Sequence, residues 1–176
     1  MLKLILNKKY NPLFSSEARY FIITGGRGSG KSFAVTVFLT LLTMTKGIRI
    51  LFTRYTMTSA HLSIIPEFLE KIGLLGFDEV FSINKAEVVN TKNNSDILFR
   101  GIRTSAGNQT ASLKSLQGIS TWVLDEAEEL VDENIFDTID LSIREKNIHN
   151  RVVLILNPVT KEHWIYKRFF EDKGVE

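Results

Sequence analysis

Residues 25 to 32 read Gly-Gly-Arg-Gly-Ser-Gly-Lys-Ser, which fits the spacing G-x-x-x-x-G-K-[ST]. Each residue type has a physical job if the target is a phosphate. Gly25, Gly26, Gly28 and Gly30 let backbone N–H groups wrap an anion with no Cβ in the way, with Arg27 and Ser29 set between them. Lys31 supplies a point charge for the β- and γ-phosphates, and the Ser32 hydroxyl is a ligand for Mg²⁺. A helix starting at Ser32 would aim its positive end at the same anion. The plain alternative is a glycine-rich turn, but an apolar strand before the loop and an apolar helix after it supply the context a phosphate loop needs. A dinucleotide fingerprint fails on spacing, because it would need glycine where Lys31 or Phe33 stands.

A metal at such a loop must also be held from another strand. In "WVLDEAEE" the apolar Trp122-Val123-Leu124 run ends in Asp125 and Glu126. Strand C-termini in a parallel sheet meet the ligand crevice, so both acids are expected to face the nucleotide. Asp125 would hold Mg²⁺ through water, and Glu126 would polarise the attacking water as general base. An acidic helix start is the competing reading, and Glu128 and Glu129 are assigned to it as solvated charge. A GTP switch would carry D-x-x-G and a later N-K-x-D. The "NKAE" at 84–87 ends in glutamate and precedes Asp125, so the order is wrong. The expected reaction is ATP hydrolysis with Mg²⁺.

These groups need a scaffold, and the hydrophobic pattern supplies one. Residues 20–24, 48–54, 121–125 and 151–157 are short, nearly continuous apolar runs. Helical patterns over 32–45, 58–73 (with a proline near its middle), 132–146 and 161–172 separate or follow them, with Asp132 a possible cap. Residues 86–103 alternate about a turn at Asn93-Asn94-Ser95, an expected hairpin at a sheet edge. Buried strands alternating with helices predict an α/β fold with a mostly parallel β-sheet flanked by helices. With no repeat, low-complexity tract or linker, residues 1–176 are expected to be a single domain.

Composition narrows the class further. Hydrophobic residues make up 44% of the chain, enough for a real core, and the net charge of +2 neither demands nor excludes nucleic acid. The absence of cysteine removes disulfide and thiolate chemistry and fits a reducing cytoplasm. "MLKLILNKKY" lacks the features of a signal peptide, and "FAVTVFLTLLTM" falls short of the roughly 20 residues that span a bilayer. A soluble intracellular protein without a membrane segment is expected. His61, His149 and His163 have no zinc-ligand spacing.

Taken together, "GGRGSGKS" with Arg27 inside the loop, "NPLF…RY" (11–20), "LFTR" (51–54), "ILFRGI…SLKSLQGISTWVLDEAEEL" (97–130) and "LILNP" (154–158) resemble a specific family. It is the ATPase domain of the large terminase subunit of tailed bacteriophages, and the resemblance runs along most of the chain. It implies a P-loop NTPase of the additional-strand catalytic-glutamate type, and a motor that hydrolyses ATP to package double-stranded DNA into procapsids. Arg27 would be an arginine finger acting in cis, and Asn157 would couple loss of the γ-phosphate to motion. Asn11, Phe14 and Tyr20 would frame the adenine, with core packing the plain reading of the two aromatics. Lys114, Gln117 and Arg54 stand open between contact with DNA or a neighbouring subunit and a solvated surface. The implied partners are the portal, the small terminase subunit and further copies in a homo-oligomeric ring, in the cytoplasm of an infected host. The family's nuclease domain, with its acidic metal cluster, is expected to be absent from residues 1–176. The rival readings are another DNA-translocating ATPase, such as a helicase or recombinase core, and a regulatory module that only binds nucleotide.

Overall fold

A strand covered on both faces can be apolar at every position, and the apolar runs of this chain are strands of that kind. The computed structural model describes residues 4–57, 60–104 and 107–171. In chain order its elements are α1 (Asn11–Ser15), β1 (Tyr20–Thr24), α2 (Lys31–Leu42), β2 (Arg49–Thr56), α3 (Ala60–Leu74), β3 (Phe81–Ile83) and β4 (Glu87–Asn90). There follow β5 (Asp96–Thr104), β6 (Gly107–Asn108), α4 (Thr110–Lys114), β7 (Thr121–Asp125), α5 (Glu133–Asp140), β8 (Arg151–Leu156) and α6 (Trp164–Tyr166). The sheet has the order β1-β8-β7-β2-β5-β4-β3, with β6 paired to β5. Pairs β1–β8, β8–β7, β7–β2 and β2–β5 are parallel, and β5–β4 and β4–β3 are antiparallel. The expected hairpin is therefore present, and its β4 lies next to the edge strand β3.

Alternation along the central strands divides the core in two. Ile50, Phe52, Val123, Val153 and Ile155 pack with Ala34, Val35 and Phe38 of α2 and Ile64, Ile65 and Phe68 of α3. Leu51, Trp122, Leu124, Leu154 and Leu156 face the other way, onto Phe136 and Ile139 of α5 and Trp164 and Ile165. Trp122 is wholly buried, and its indole N–H donates to Thr53 Oγ1 at 2.9 Å, so its polar edge is satisfied.

Three helices are shorter than their patterns suggest, each because side chains claim the backbone groups that would extend it. α2 stops at Leu42, where the Thr43 carbonyl accepts from Asn90 Nδ2 at 3.1 Å and from Asn93 Nδ2 at 3.0 Å. α5 keeps its predicted Asp132 cap but ends at Asp140, because Arg19 donates to the carbonyls of Asp140 and Ile143, both at 3.0 Å. The last helix begins at Trp164, capped by His163 Nδ1, and widens into a π turn over Lys167–Glu171. Thr58 and Ser59, expected to open α3, and Asp172, in the predicted 161–172 helix, lie outside the described residues.

Candidate nucleotide site

Register and alternation together explain why the chemistry collects at one end of the sheet. Thr53 of β2 is level with Leu124 of β7, and Asp125 is level with Ile155 of β8. Arg54 follows Thr53 two residues before the end of β2, Asp125 ends β7, and Asn157 directly follows β8. They share the parity of Phe52, Val123 and Ile155, so they belong to the face covered by α2. α2 starts at Lys31, directly after the glycine loop that leaves β1. A cavity of ≈ 360 Å³ opens there, lined by the loop from Arg27 to Ser32, by Asp125 and Glu126, and by Arg54, Glu128 and Asn157.

The loop has the conformation an anion cradle needs. Gly28 and Gly30 take φ of +75° and +83°, the left-handed region that favours glycine. Gly30 is the N-cap of α2, and no side chain caps the helix, so its first-turn N–H groups remain for a ligand. Lys31 Nζ donates to the carbonyls of Gly25 and Gly26, the latter at 3.0 Å, and to Asn157 Oδ1 at 3.4 Å. Ser32 and Arg27 are exposed on the cavity wall.

The acid side is organised by Arg54. Its Nε and Nη2 donate to Asp125 Oδ2 at 2.8 and 2.6 Å, and its Nε lies 3.7 Å from Glu126 Oε2. Burial works against the guanidinium charge, but Asp125, Glu126 and Glu67 outweigh it, so the Arg54 pKa lies above its ordinary value. The Glu126 carboxyl is pushed above the ordinary glutamate range, first by burial and then by Asp125, Glu129 and Glu128, against the pull of Arg54. A carboxyl shifted that way is a better proton acceptor, as a general base requires.

Glu126 also carries backbone strain. Among the described residues three non-glycine residues have positive φ; Asn94 and Asn147 are of the tolerant type, and Glu126, at φ 54° and ψ 44°, is not. A residue in that conformation costs the fold stability. Glu126→Gly is therefore expected to stabilise the fold by about 1 kcal/mol. Urea unfolding measures this, and a destabilised variant would remove the strain from the account.

Comparisons with known proteins agree with this geometry. The family model described as phage terminase large subunit matches residues 17–176. The chain belongs to the phage terminase large subunit family.

Among terminase relatives, the PBSX phage terminase large subunit of Bacillus subtilis is 27% identical over 174 residues, 94% of this chain and 38% of its own length. The chain spans less than half the length of the curated relatives it matches, 38% and 43%. A large terminase from a thermophilic bacteriophage has the same fold at TM-score 0.74 and 13% identity, over 97% of this chain and 43% of that one. It has also been solved with ADP and with ATP-gamma-S. The N-terminal domain of the DNA packaging ATPase of bacteriophage phi29 matches at TM-score 0.66 and 15% identity, over 93% of this chain and 84% of that one.

The terminase fold places Lys31, Ser32, Arg27, Asp125, Glu126 and Asn157 on one cavity wall. It does not bring Asn11, Phe14 or Tyr20 to the cavity wall. Phe14 packs edge-on against Phe38, and Tyr20, at the far end of β1, donates to Asp140 Oδ2 at 2.7 Å. Lys114 and Gln117 are exposed and away from the cavity. Two assignments are corrected. Arg54 is not a solvated cation, because the β2–β7 register brings it against Asp125. Glu128 is not solvated helix-start charge: residues 127–129 form a tight 3₁₀ turn that folds its carboxylate onto Asn157, while Glu129 stays exposed. Tyr10 escaped the sequence reading, although its hydroxyl donates to the Ser29 carbonyl at 2.9 Å. That bond fixes the direction of the Ser29 C=O, and across the trans peptide the Gly30 N–H points the opposite way.

Proposed function

We propose that residues 1–176 form a single Mg²⁺-dependent ATPase domain, the motor domain of a terminase large subunit that drives packaging of double-stranded DNA into procapsids. The observation that carries this reading is the one cavity that joins Lys31 and Ser32 to Asp125 and Glu126. The donor set suits Mg²⁺, which takes one or two protein oxygens and completes its shell with phosphates and water. Ser32 and Asp125 would hold the ion, and it would supply charge neutralisation at the β- and γ-phosphate oxygens. The loop N–H groups and Lys31 bind the triphosphate in line, and Arg27 neutralises charge that develops on the transferred phosphoryl group. Water attacks the γ-phosphorus, its proton passes to the Glu126 carboxylate, and the bond to the β-phosphate oxygen breaks to release ADP.

The ADP and ATP-gamma-S complexes of the thermophilic phage terminase support the choice of nucleotide, and the phi29 viral genome packaging motor assembly supports work within a motor assembly, here proposed to be a homo-oligomeric ring on a procapsid. The portal and small terminase subunit are the proposed partners in the host cytoplasm. Among the described residues no helix is long and apolar enough to cross a membrane. The test is phosphate release from ATP with and without Mg²⁺ and DNA. Turnover that needs Mg²⁺ supports the proposal; binding without multiple turnover would favour a regulatory module, and strand separation a helicase.

Asn157 is proposed to couple chemistry to movement. Within the assembled packaging motor, Asn157→Ala is expected to keep a measurable share of hydrolysis while translocation falls much further. Phosphate release and nuclease protection of packaged DNA, read on the same motor, would refute this if both dropped in proportion.

A further inference from the structure

Glu128 has no part in the chemistry above, yet it is tied to Asn157 twice. Its Oε1 accepts from Asn157 Nδ2 at 2.6 Å, and its Oε2 accepts from the Asn157 backbone N–H at 3.2 Å. On the other side, Asn157 Oδ1 accepts from Lys31 Nζ at 3.4 Å. A primary amide has a donor end and an acceptor end of nearly equal shape, so its neighbours decide which way it points. Here a carboxylate that only accepts stands on one side, and an ammonium that only donates stands on the other. Both demand the same orientation.

We infer that Glu128 is the positioning residue that holds the Asn157 amide with its carbonyl oxygen turned toward Lys31 and the nucleotide cavity, a role that rests on the ATPase reading of that cavity. An oxygen in that place can accept from Lys31 or from a water lying over the γ-phosphate, and it repels the phosphate oxygens themselves. To donate to phosphate, the amide would have to turn over and Nδ2 would have to leave Glu128. Glu128 thus sets Asn157 as an acceptor at the phosphate end of the cavity.

The clamp is anchored from behind. The Glu128 carbonyl accepts from His163 Nε2 at 3.2 Å, and His163 Nδ1 accepts from the Ile165 N–H at 3.2 Å. Two residues on, the Leu130 carbonyl accepts from the Trp164 indole N–H at 2.5 Å. The turn that carries Glu128 is therefore held to the start of α6, and the carboxylate has a fixed base from which to act.

Glu128→Gln, Asn157→Ala and the double variant test this. Glutamine keeps the size of Glu128 but puts an NH2 group where one carboxylate oxygen stood, so it cannot accept from both Asn157 groups in the same geometry. In a ¹H–¹⁵N spectrum without nucleotide, the Asn157 side-chain amide, assigned by its loss in Asn157→Ala, is expected to move in Glu128→Gln while the backbone signals of β1 and α2 stay in place. The kcat for ATP is expected to fall about tenfold, the worth of one charge-assisted hydrogen bond, while affinity for a non-hydrolysable ATP analogue stays within about threefold. The double variant is expected to be no slower than Asn157→Ala, since both changes act through one amide. An unmoved Asn157 signal, losses that multiply in the double variant, or a large loss of analogue affinity would each overturn the role. The spectrum needs no hydrolysis, so a chain that neither binds nor cleaves ATP sinks the ATPase reading while the spectrum still decides the amide orientation.

Discussion

Lys31→Ala is expected to abolish ATP binding. The ammonium is the fixed cation at the N-terminus of α2, on a residue whose place is set by the αL cap at Gly30. Hydrogen bonds to charged groups contribute about 1.5–3 kcal/mol each, so losing two, to the β- and γ-phosphates, weakens binding by about 10²-fold or more. Without nucleotide, Lys31 Nζ bonds the Gly25 and Gly26 carbonyls and Asn157 Oδ1, and binding must trade these contacts for phosphate oxygens. The same contacts make the variant informative about folding. The two carbonyls lie on a partly exposed loop and can turn to water, so the unfolding transition should shift little. Isothermal titration of ATP with Mg²⁺, beside a urea melt of the same preparation, separates the two effects. Unchanged ATP affinity would end the phosphate-loop assignment.

The parts of this site that were legible in the sequence are those whose signal is local. The loop announces itself because glycine, lysine and serine at fixed offsets answer a single need, to wrap and neutralise an anion. Asp125 and Asn157 were readable because each ends an unbroken apolar run, and a parallel sheet sends such ends to one crevice. Arg54 was not, since its meaning depends on register. It ends a comparable apolar run, but only the pairing of Thr53 with Leu124 sets it against Asp125 rather than outside the site. Glu128 was hidden for a different reason. "DEAEEL" suits a helix start, and nothing local says that the backbone turns through αL at Glu126 and folds the next acids back as a 3₁₀ turn. The helix ends were lost in the same way, because Asn90, Asn93 and Arg19 claim carbonyls from 40 or more residues away along the chain, up to 124. Tyr10 looks like an ordinary core aromatic until its hydroxyl is placed on the Ser29 carbonyl. What escaped was long-range hydrogen bonding. The order and type of the site-bearing elements did not escape.

Glu126→Gln is expected to separate binding from turnover. The amide keeps the shape of the carboxylate and removes its basicity, so a proton leaving the attacking water has nowhere to go. General-base catalysis contributes about 10²–10⁴-fold, and kcat is expected to fall by that order while ATP·Mg²⁺ affinity stays within a few-fold. The geometry supports the split. Asp125 is buried and gripped by Arg54 at 2.6 Å, whereas the Glu126 side chain is 46% exposed and stands 3.7 Å from the same guanidinium. One acid is fixed as a ligand would be, and the other is half-exposed on the cavity wall. Backbone strain distinguishes this variant from a merely structural change, because glutamine at φ 54° keeps the same left-handed strain as glutamate. Stability should therefore stay near that of the parent chain, whereas Glu126→Gly should be both inactive and more stable. Titration and phosphate release on one preparation decide the matter. Equal loss of affinity and turnover would make Glu126 a metal ligand or a structural residue, and wild-type turnover would move the general base elsewhere in the cavity.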